Sequence, residues 1–216
     1  AYTSVLQERR KELHERTAQA IESLYADNRE DHYADLAHHY SRSGNTEKAI
    51  VYLQKAGQQA AQNSAHAEAI RHFSTGLELL MTLPDTPERV RQELPVQLSL
   101  AASLQVTKGP SAPEVGTAYT RAYDLCLPGG NTRQLFSVLH GLWLFHHVQA
   151  DLTAARDTGE RLLAMAEGLR DSALLLEARR TLGSTLLWQG EFSLARIHLE
   201  QAVTLYEQEQ GSSLKY

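Results

Sequence analysis

Apolar residues return at three- and four-residue spacing along almost the whole chain, the period of helices that each bury one stripe. Ala, Leu, Glu, Gln and Arg, all good helix formers, dominate the stretches between breaks. Two-residue alternation of Val, Ile, Thr and Tyr is absent, so strands are not expected. The pattern predicts helices near 3–25, 30–43, 46–62, 66–82, 87–106, 112–126, 131–148, 152–168, 171–188 and 192–209. Their breaks have chemical causes. Gly44 supplies a left-handed helix end, and Asn45 supplies a capping side chain for the next helix. Pro84 and Pro87 bracket an acidic turn, Gly109-Pro110 marks another break, and Pro128-Gly129-Gly130 is the clearest one. Short turns between successive helices predict antiparallel neighbours.

The helices repeat one another. Tyr33, Leu36, Ala37, Tyr40, Gly44, Ala49, Leu53 and Ala56 give a first helix of large–x–x–large–small–x–x–aromatic and a second of small–x–x–x–large–x–x–small. Leu182, Gly183, Leu186, Gly190, Ala195, Leu199 and Ala202 return at the same offsets. A looser copy runs through Leu139, Leu142, His146, Ala150, Ala155, Gly159 and Leu162. A fourth overlaps the first, Leu53, Ala56, Gly57 and Ala60 being followed by Ala69, Phe73 and Gly76, so the 46–62 helix serves two hairpins. This spacing resembles the tetratricopeptide repeat and predicts an all-α fold, a tetratricopeptide-like superhelix of antiparallel hairpins. Small residues such as Ala37, Gly57 and Gly183, and Ala49, Ala155 and Ala195 opposite, are expected where paired helices cross closely. The large residues fill the space between hairpins, because one hairpin cannot bury its stripe alone. The steps from Ala155 to Ala195 and from Ala69 to Ala118 exceed the usual period of about 34, which predicts long or interrupted units. Arg179 stands where a first helix ordinarily carries a large apolar residue.

A narrower resemblance attaches to particular residues. Leu36-Ala37-His38-His39-Tyr40, then Ala49-Ile50-x-Tyr52-Leu53-x-Lys55-Ala56-Gly57, then Glu68-Ala69-Ile70, are similar to the helical region of bacterial signal-transduction ATPases. Leu77-Glu78-Leu79-Leu80, Thr82-Leu83-Pro84, Arg89, Thr107-Lys108-Gly109, Pro113-Glu114-Val115, Gly141-Leu142-Trp143 and Gly190-Glu191-Phe192 continue it. The opening Ala1-Tyr2-x-Ser4-x-Leu6-x-x-Arg9-Arg10-x-x-Leu13-His14 is similar to that family's junction behind a nucleotide-binding module. The resemblance implies a sensor or interaction segment that gates an ATPase or an adenylate or guanylate cyclase encoded upstream. It implies a leading helix at 1–29 joining a missing upstream domain, N-terminal hairpins at 30–126 and C-terminal hairpins at 127–216, in one superhelix.

Composition narrows the function further. A net charge of −5 and a pI near 6.1 give no basic footprint for nucleic acid. The one cysteine, Cys126 between Leu125 and Leu127, excludes an internal disulfide and reads as a small buried apolar residue in a reducing, cytoplasmic compartment. No apolar run approaches the roughly 18 residues of a membrane span, and neither a membrane partner nor a cofactor is expected. The first residue is Ala, and the chain reads as a piece of a larger protein. A phosphate-binding Gly-x-x-x-x-Gly-Lys-Ser/Thr is absent, so ATP hydrolysis cannot be located here. His14-Glu15-Arg16-Thr17-Ala18 starts like the zinc-protease helix, but Ala18 replaces the second ligand. His140 and His147 share a helix face without an evident acid or cysteine, and the pairs His38-His39 and His146-His147 diverge around their helices. Packed or solvated histidines are the better reading, and no metal is expected. Glu8, Glu12 and Glu15 beside Arg9, Arg10 and Lys11 read as a salt-bridged solvated face, and Asp27, Glu30, Asp31 and Asp35 as acids near a helix start. Trp143 and Trp188 read as core or inter-repeat packing. No catalytic residues emerge.

The first helix of each hairpin lines the concave face of such arrays. The candidate protein-binding residues are therefore His38, Ser41 and Arg42, then His140, Leu144 and His147, then Arg180, Ser184 and Trp188. Their mix of cations, histidine and exposed apolar groups suits an acidic or amphipathic peptide. Two readings stay open: a regulatory segment that engages partner proteins or its own enzyme domains, or a free-standing adaptor that presents a peptide groove. The closing Ser212-Ser213-Leu214-Lys215-Tyr216 carries no capping helix, and an uncapped array end would let two copies pair. Ala195→Trp overpacks the last hairpin crossing and is expected to lower stability by roughly 1–3 kcal/mol in urea unfolding; an unchanged midpoint would show a different packing there.

Overall fold

Helix ends fall where the capping chemistry puts them. Gly44 takes φ +89°, the left-handed conformation that closes one helix, and the Asn45 side chain accepts from the Lys48 N–H at 3.2 Å to open the next. Asp151 and Asp171 cap two later helices in the same way, accepting from the N–H groups of Ala154 and Leu174. The computed structural model describes residues 2–127 and 131–213, with side chains over 6–127 and 131–208. The Pro128-Gly129-Gly130 break, the side chains of Tyr2 and Ser4, and the end of the chain over Leu214–Tyr216 lie outside what it describes.

Among the described residues the regular structure is helical throughout: α1 (Tyr2–Leu24), α2 (Tyr33–Ser43), α3 (Thr46–Gln62), α4 (His66–Leu80), α5 (Pro87–Lys108), α6 (Pro113–Cys126), α7 (Thr132–Val148), α8 (Leu152–Leu169), α9 (Ser172–Trp188) and α10 (Phe192–Ser213), with a 3-10 turn at Arg29–His32. None is long and apolar enough to cross a membrane. The chain divides into two compact units, Ala1–Thr107 and Lys108–Tyr216.

In the first unit α1 packs on α2, α2 on α3 and α3 on α4. Ala18, Leu36, Ala37, Tyr40, Ala49, Tyr52, Leu53 and Ala56 form one core cluster. Ile50, Ala60, Ala69, Phe73, Leu80 and Val96 form a second. α3 gives Tyr52, Leu53 and Ala56 to the first and Ile50 and Ala60 to the second, so it does serve two neighbours. Gly57 is small for a different reason than close backbone crossing. A Cβ there would stand 2.5 Å from the Phe73 ring of α4, so the glycine makes room for an aromatic side chain.

Glu22 fastens α1 to the hairpin behind it. Its carboxylate accepts from Tyr40 Oη (2.7 Å), Tyr52 Oη (2.5 Å) and Lys48 Nζ (2.6 Å). Burial raises its pKa, but the hydrogen bonds from Lys48, Tyr52 and Tyr40 and the Lys48 charge outweigh that and hold it at about 2. The Tyr40 and Tyr52 rings stack at 5.5 Å and 7°, forming a flat wall beside the carboxylate. On the solvated side of α1 Lys11 pairs with Glu8 as expected, Glu12 pairs with Arg16 instead of the cations before it, and Glu15 accepts from Asn45 at 3.0 Å.

In the second unit α6 packs on α7, α7 on α8, α8 on α9 and α9 on α10. Phe136, Leu139, Trp143, Ala155, Leu162, Ala166 and Ala178 make the main core cluster, followed by Leu182, Leu186 and Ala195. Cys126 is buried and free, as read. At the last crossing, a Cβ on Gly183 would lie 2.8 Å from the Leu199 side chain and 3.3 Å from the Ala195 carbonyl oxygen, so side chain and backbone of α10 together call for this glycine. Arg179 is largely buried between α8 and α10, where polar contacts take the place of apolar packing. Its guanidinium donates to Gln201 of α10 at 2.5 Å and pairs with Glu167 of α8 at 3.4 Å. Each unit is a stack of antiparallel hairpins of tetratricopeptide type.

Aromatic rings also lie over glycines where α6 meets α7: Phe145 over Gly116, and Tyr119 over Gly141. Gly141→Ala drives a methyl group into the buried Tyr119 ring, and overpacking of about 1–3 kcal/mol outweighs the helix-propensity gain of up to ~1 kcal/mol. Gly168→Ala in α8 meets nothing within 4 Å and should gain most of that ~1 kcal/mol. Urea midpoints of the two variants should therefore move in opposite directions.

Candidate protein-binding site

α7 and α9 are brought into register by their first turns. Asn131 caps α7 and Asp171 caps α9, and Arg133 Nη2 meets Asp171 Oδ2 at 2.6 Å. Further along, the indole N–H of Trp143 donates to Thr185 Oγ1 at 2.9 Å inside the core. Trp143 is 3 % exposed, so this bond satisfies a donor that has lost its water.

Around that anchor His140, Trp143, Leu144 and His147 fall at i, i+3, i+4 and i+7 along one face of α7, and Glu177, Arg180, Ser184 and Trp188 follow one another at three- and four-residue steps on α9. The His140 and His147 rings lie 5.4 and 5.0 Å from the Trp143 ring, the second stacked at 29°. The Arg180 guanidinium stands 5.6 Å from the same ring centre, and Trp188 and His147 form a T-shaped pair at 6.3 Å and 80°. Trp188 itself is 70 % exposed. The expectation of a packed Trp188 is therefore corrected: it occupies the final turn of α9 with most of its surface in solvent. Leu144 is half-buried against the main core cluster, and Ser184 is half-buried between Arg180 and Trp188 on the α9 face.

The electrostatics are closed within the site. Glu177 accepts from His140 Nε2 at 2.7 Å and from Arg180 Nε at 3.0 Å, with a second contact to Arg180 Nη2. The hydrogen bonds from His140 and then Arg180 hold its carboxyl at about 2, against the opposing effect of burial. Arg180 is thus already neutralised. Burial, and after it the Arg180 charge, lowers the pKa of His147, whose Nδ1 is buried without a hydrogen-bond partner. What faces outward is aromatic surface over a neutral polar floor.

Of the first-unit candidates, His38 and Ser41 line another groove, between α2 and α4, and Arg42 lies next to His38. His38 and Arg42 are exposed, with Arg42 Nη1 2.6 Å from His38 Nε2, and the Ser41 hydroxyl donates to its own helix at the Ala37 carbonyl, 2.6 Å away. Asp35, His39, Glu68, Arg71 and His72 share that groove. The structure therefore gathers His140, His147, Arg180 and Trp188 around Trp143, and places His38 and Arg42 beside each other in the first unit. Glu177 and Thr185 escaped the sequence reading. The only signal for Glu177 was its place three residues before Arg180, a spacing shared by many solvated pairs. Among the described residues, no three His, Cys, Asp or Glu side chains are arranged to hold a metal ion.

No family model matches the chain, and no curated protein matches it significantly. Solved structures do. A structure of BtubC (BKLC) from P. vanneervenii superposes with a TM-score of 0.66 at 15% identity, covering 95% of this chain and 92% of that one. The Podosopora anserina putative kinesin light chain with nearly identical TPR-like repeats gives 0.67 at 15% identity, covering 94% and 95%. A single-substitution variant of that protein gives 0.68 at 14% identity over the same shares. At such identities the likeness establishes the fold, which is tetratricopeptide-like.

Glu177 contributes stability that is fully present above its ordinary carboxylate range and is lost as pH falls toward about 2. Glu177→Gln is therefore expected to lower stability by roughly 1–3 kcal/mol at pH 7. The gap between variant and parent urea midpoints should narrow steadily below pH 4.

Proposed function

We propose that the chain is a non-catalytic scaffold that binds a protein segment across the α7–α9 face. The observation that carries this reading is Trp188, 70 % exposed beside a face already fixed by the Trp143–Thr185 hydrogen bond. An exposed indole on a rigid frame offers a large apolar contact at little entropic cost, which is the chemistry of binding hot spots. Because Glu177 neutralises Arg180, the groove favours the amphipathic alternative over a plainly acidic peptide. The partner is a segment that lays apolar side chains on Trp188 and Leu144, with polar contacts at the rim.

The wider setting follows the resemblance of 36–57 and 68–70 to signal-transduction ATPases. On that reading the chain is the regulatory part of a larger cytoplasmic protein, residues 1–29 joining it to a nucleotide-binding module. A longer reading frame that encodes a phosphate-binding loop before residue 1 supports this; a frame that encodes none leaves the adaptor reading in its place.

Binding can be tested without knowing the natural partner. Twelve-residue peptides selected from a random display library on the 216-residue chain should be enriched in apolar residues at helical spacing. Trp188→Ala should weaken the selected peptides at least about tenfold, the loss of a hot-spot aromatic. Peptides that bind the variant as tightly as the parent would place the site elsewhere.

A further inference from the structure

Two polar contacts join α1 to the helices behind it, and they yield to acid in different pH ranges. Near its C-terminal end stands the Glu22 carboxylate, held at about 2. Two turns earlier His14 Nδ1 lies 3.0 Å from His39 Nδ1. Such a distance admits one proton, with one imidazole donating and the other accepting through its lone pair. When both rings are imidazolium each nitrogen carries a hydrogen, neither accepts, and the contact turns repulsive.

The surroundings deepen that repulsion. The His38 ring lies 6.0 Å from His14 and 5.2 Å from His39, and Arg42 holds His38 Nε2 at 2.6 Å. Arg10 stands one turn before His14 on α1, and its charge bears on that ring together with those of Arg42 and His38. The acid on α2 that bears on His39 is Asp35, and across the neighbouring groove α4 presents Glu68, Arg71 and His72. Burial first, and then these cations, move His14 and His39 below the ordinary histidine value of 6.5.

Little else secures this half of the helix. Leu6 and Leu13 are 51 % and 56 % exposed, and along the described side chains of α1 the first fully buried one is Ala18. Glu15 is tied to the α2–α3 turn by hydrogen bonds with Asn45 and Ser43.

We propose that the His14–His39 contact is an acid-released latch, through which proton uptake frees the N-terminal half of α1 from α2 while the Glu22 clasp keeps its C-terminal half docked. Groups whose docked pKa lies below the free value stabilise docking fully above that value and lose the contribution as pH falls through the lowered one. The latch therefore holds above pH 6.5 and opens below it. Glu22 ionises far lower and keeps its grip across the same window.

Hydrogen–deuterium exchange on the whole chain, corrected for intrinsic pH dependence, reads this out segment by segment. Between pH 7.5 and pH 5.5 protection over residues 6–17 should fall on the order of tenfold, while residues 19–24 and α3 stay protected. In the double variant His14→Gln, His39→Gln the fall should vanish, because the amide pair cannot take up a proton. Where the double variant is already unprotected at pH 7.5, Arg42→Gln decides: removing that charge should shrink the acid response relative to the parent. Constant protection of 6–17 in the parent overturns the proposal. So does a parent-like acid response in a double variant that is protected at pH 7.5, or, in the deciding case, an undiminished response in Arg42→Gln.

Discussion

Tyr119 lying across Gly141, Phe145 across Gly116 and Phe73 across Gly57 are the contacts on which the stacking depends. A two-helix hairpin has too little apolar surface to close a core, so it is stable only when its neighbour fills the space it leaves. A ring set over a glycine brings neighbouring helices to one distance and one rotation, since a methyl group at any of the three positions collides with the ring. The hydrophobic stripes then meet in register, and Leu139, Trp143 and Ala155 close one core as Leu36, Tyr40 and Ala49 close another.

With the distances set by small residues, polar groups can be placed inside without loss. Trp143 finds Thr185 because α7 and α9 stand where the indole N–H just reaches the hydroxyl. Glu22 finds two tyrosines and a lysine because α2 and α3 hold Tyr40, Lys48 and Tyr52 on one side of a tight hairpin. Both networks stabilise only when complete. A buried carboxylate without its donors costs several kcal/mol, so each network also fixes which helix face meets which.

Helices, turns and hairpin pairing were legible in the sequence because they follow from local patterns. The predicted 46–62 helix matches α3, and the Gly44-Asn45 break falls at the left-handed turn and cap. The double duty of the same helix could be read as well, since Leu53 and Ala56 belong to two overlapping copies of one spacing. What escaped was pairing across long separations. Nothing local says that Glu177 accepts from His140, or that His14 meets His39, because such contacts depend on how adjacent helices turn about their axes. The reason for Gly57 was misassigned for the same cause: its smallness was visible, but the ring it accommodates lies on another helix. Trp188 shows the limit from the other side, for an apolar residue at a helix end reads as core until its neighbours are known.

The charges of the second-unit groove change what it can select. Arg180 in isolation would attract an acidic segment, and the gain would be large in a half-buried site. With Glu177 in contact and His140 on the same carboxylate, that attraction is cancelled within the face itself, and Arg180 instead lies over the Trp143 ring. On the proposed reading, the site then discriminates by shape and apolar area. Steering by net charge has little to offer, and the rate of encounter should depend only weakly on salt. For the proposed partner segment, affinity rests on how well it covers the Trp188 indole, and the rigid floor beneath keeps the cost of ordering low.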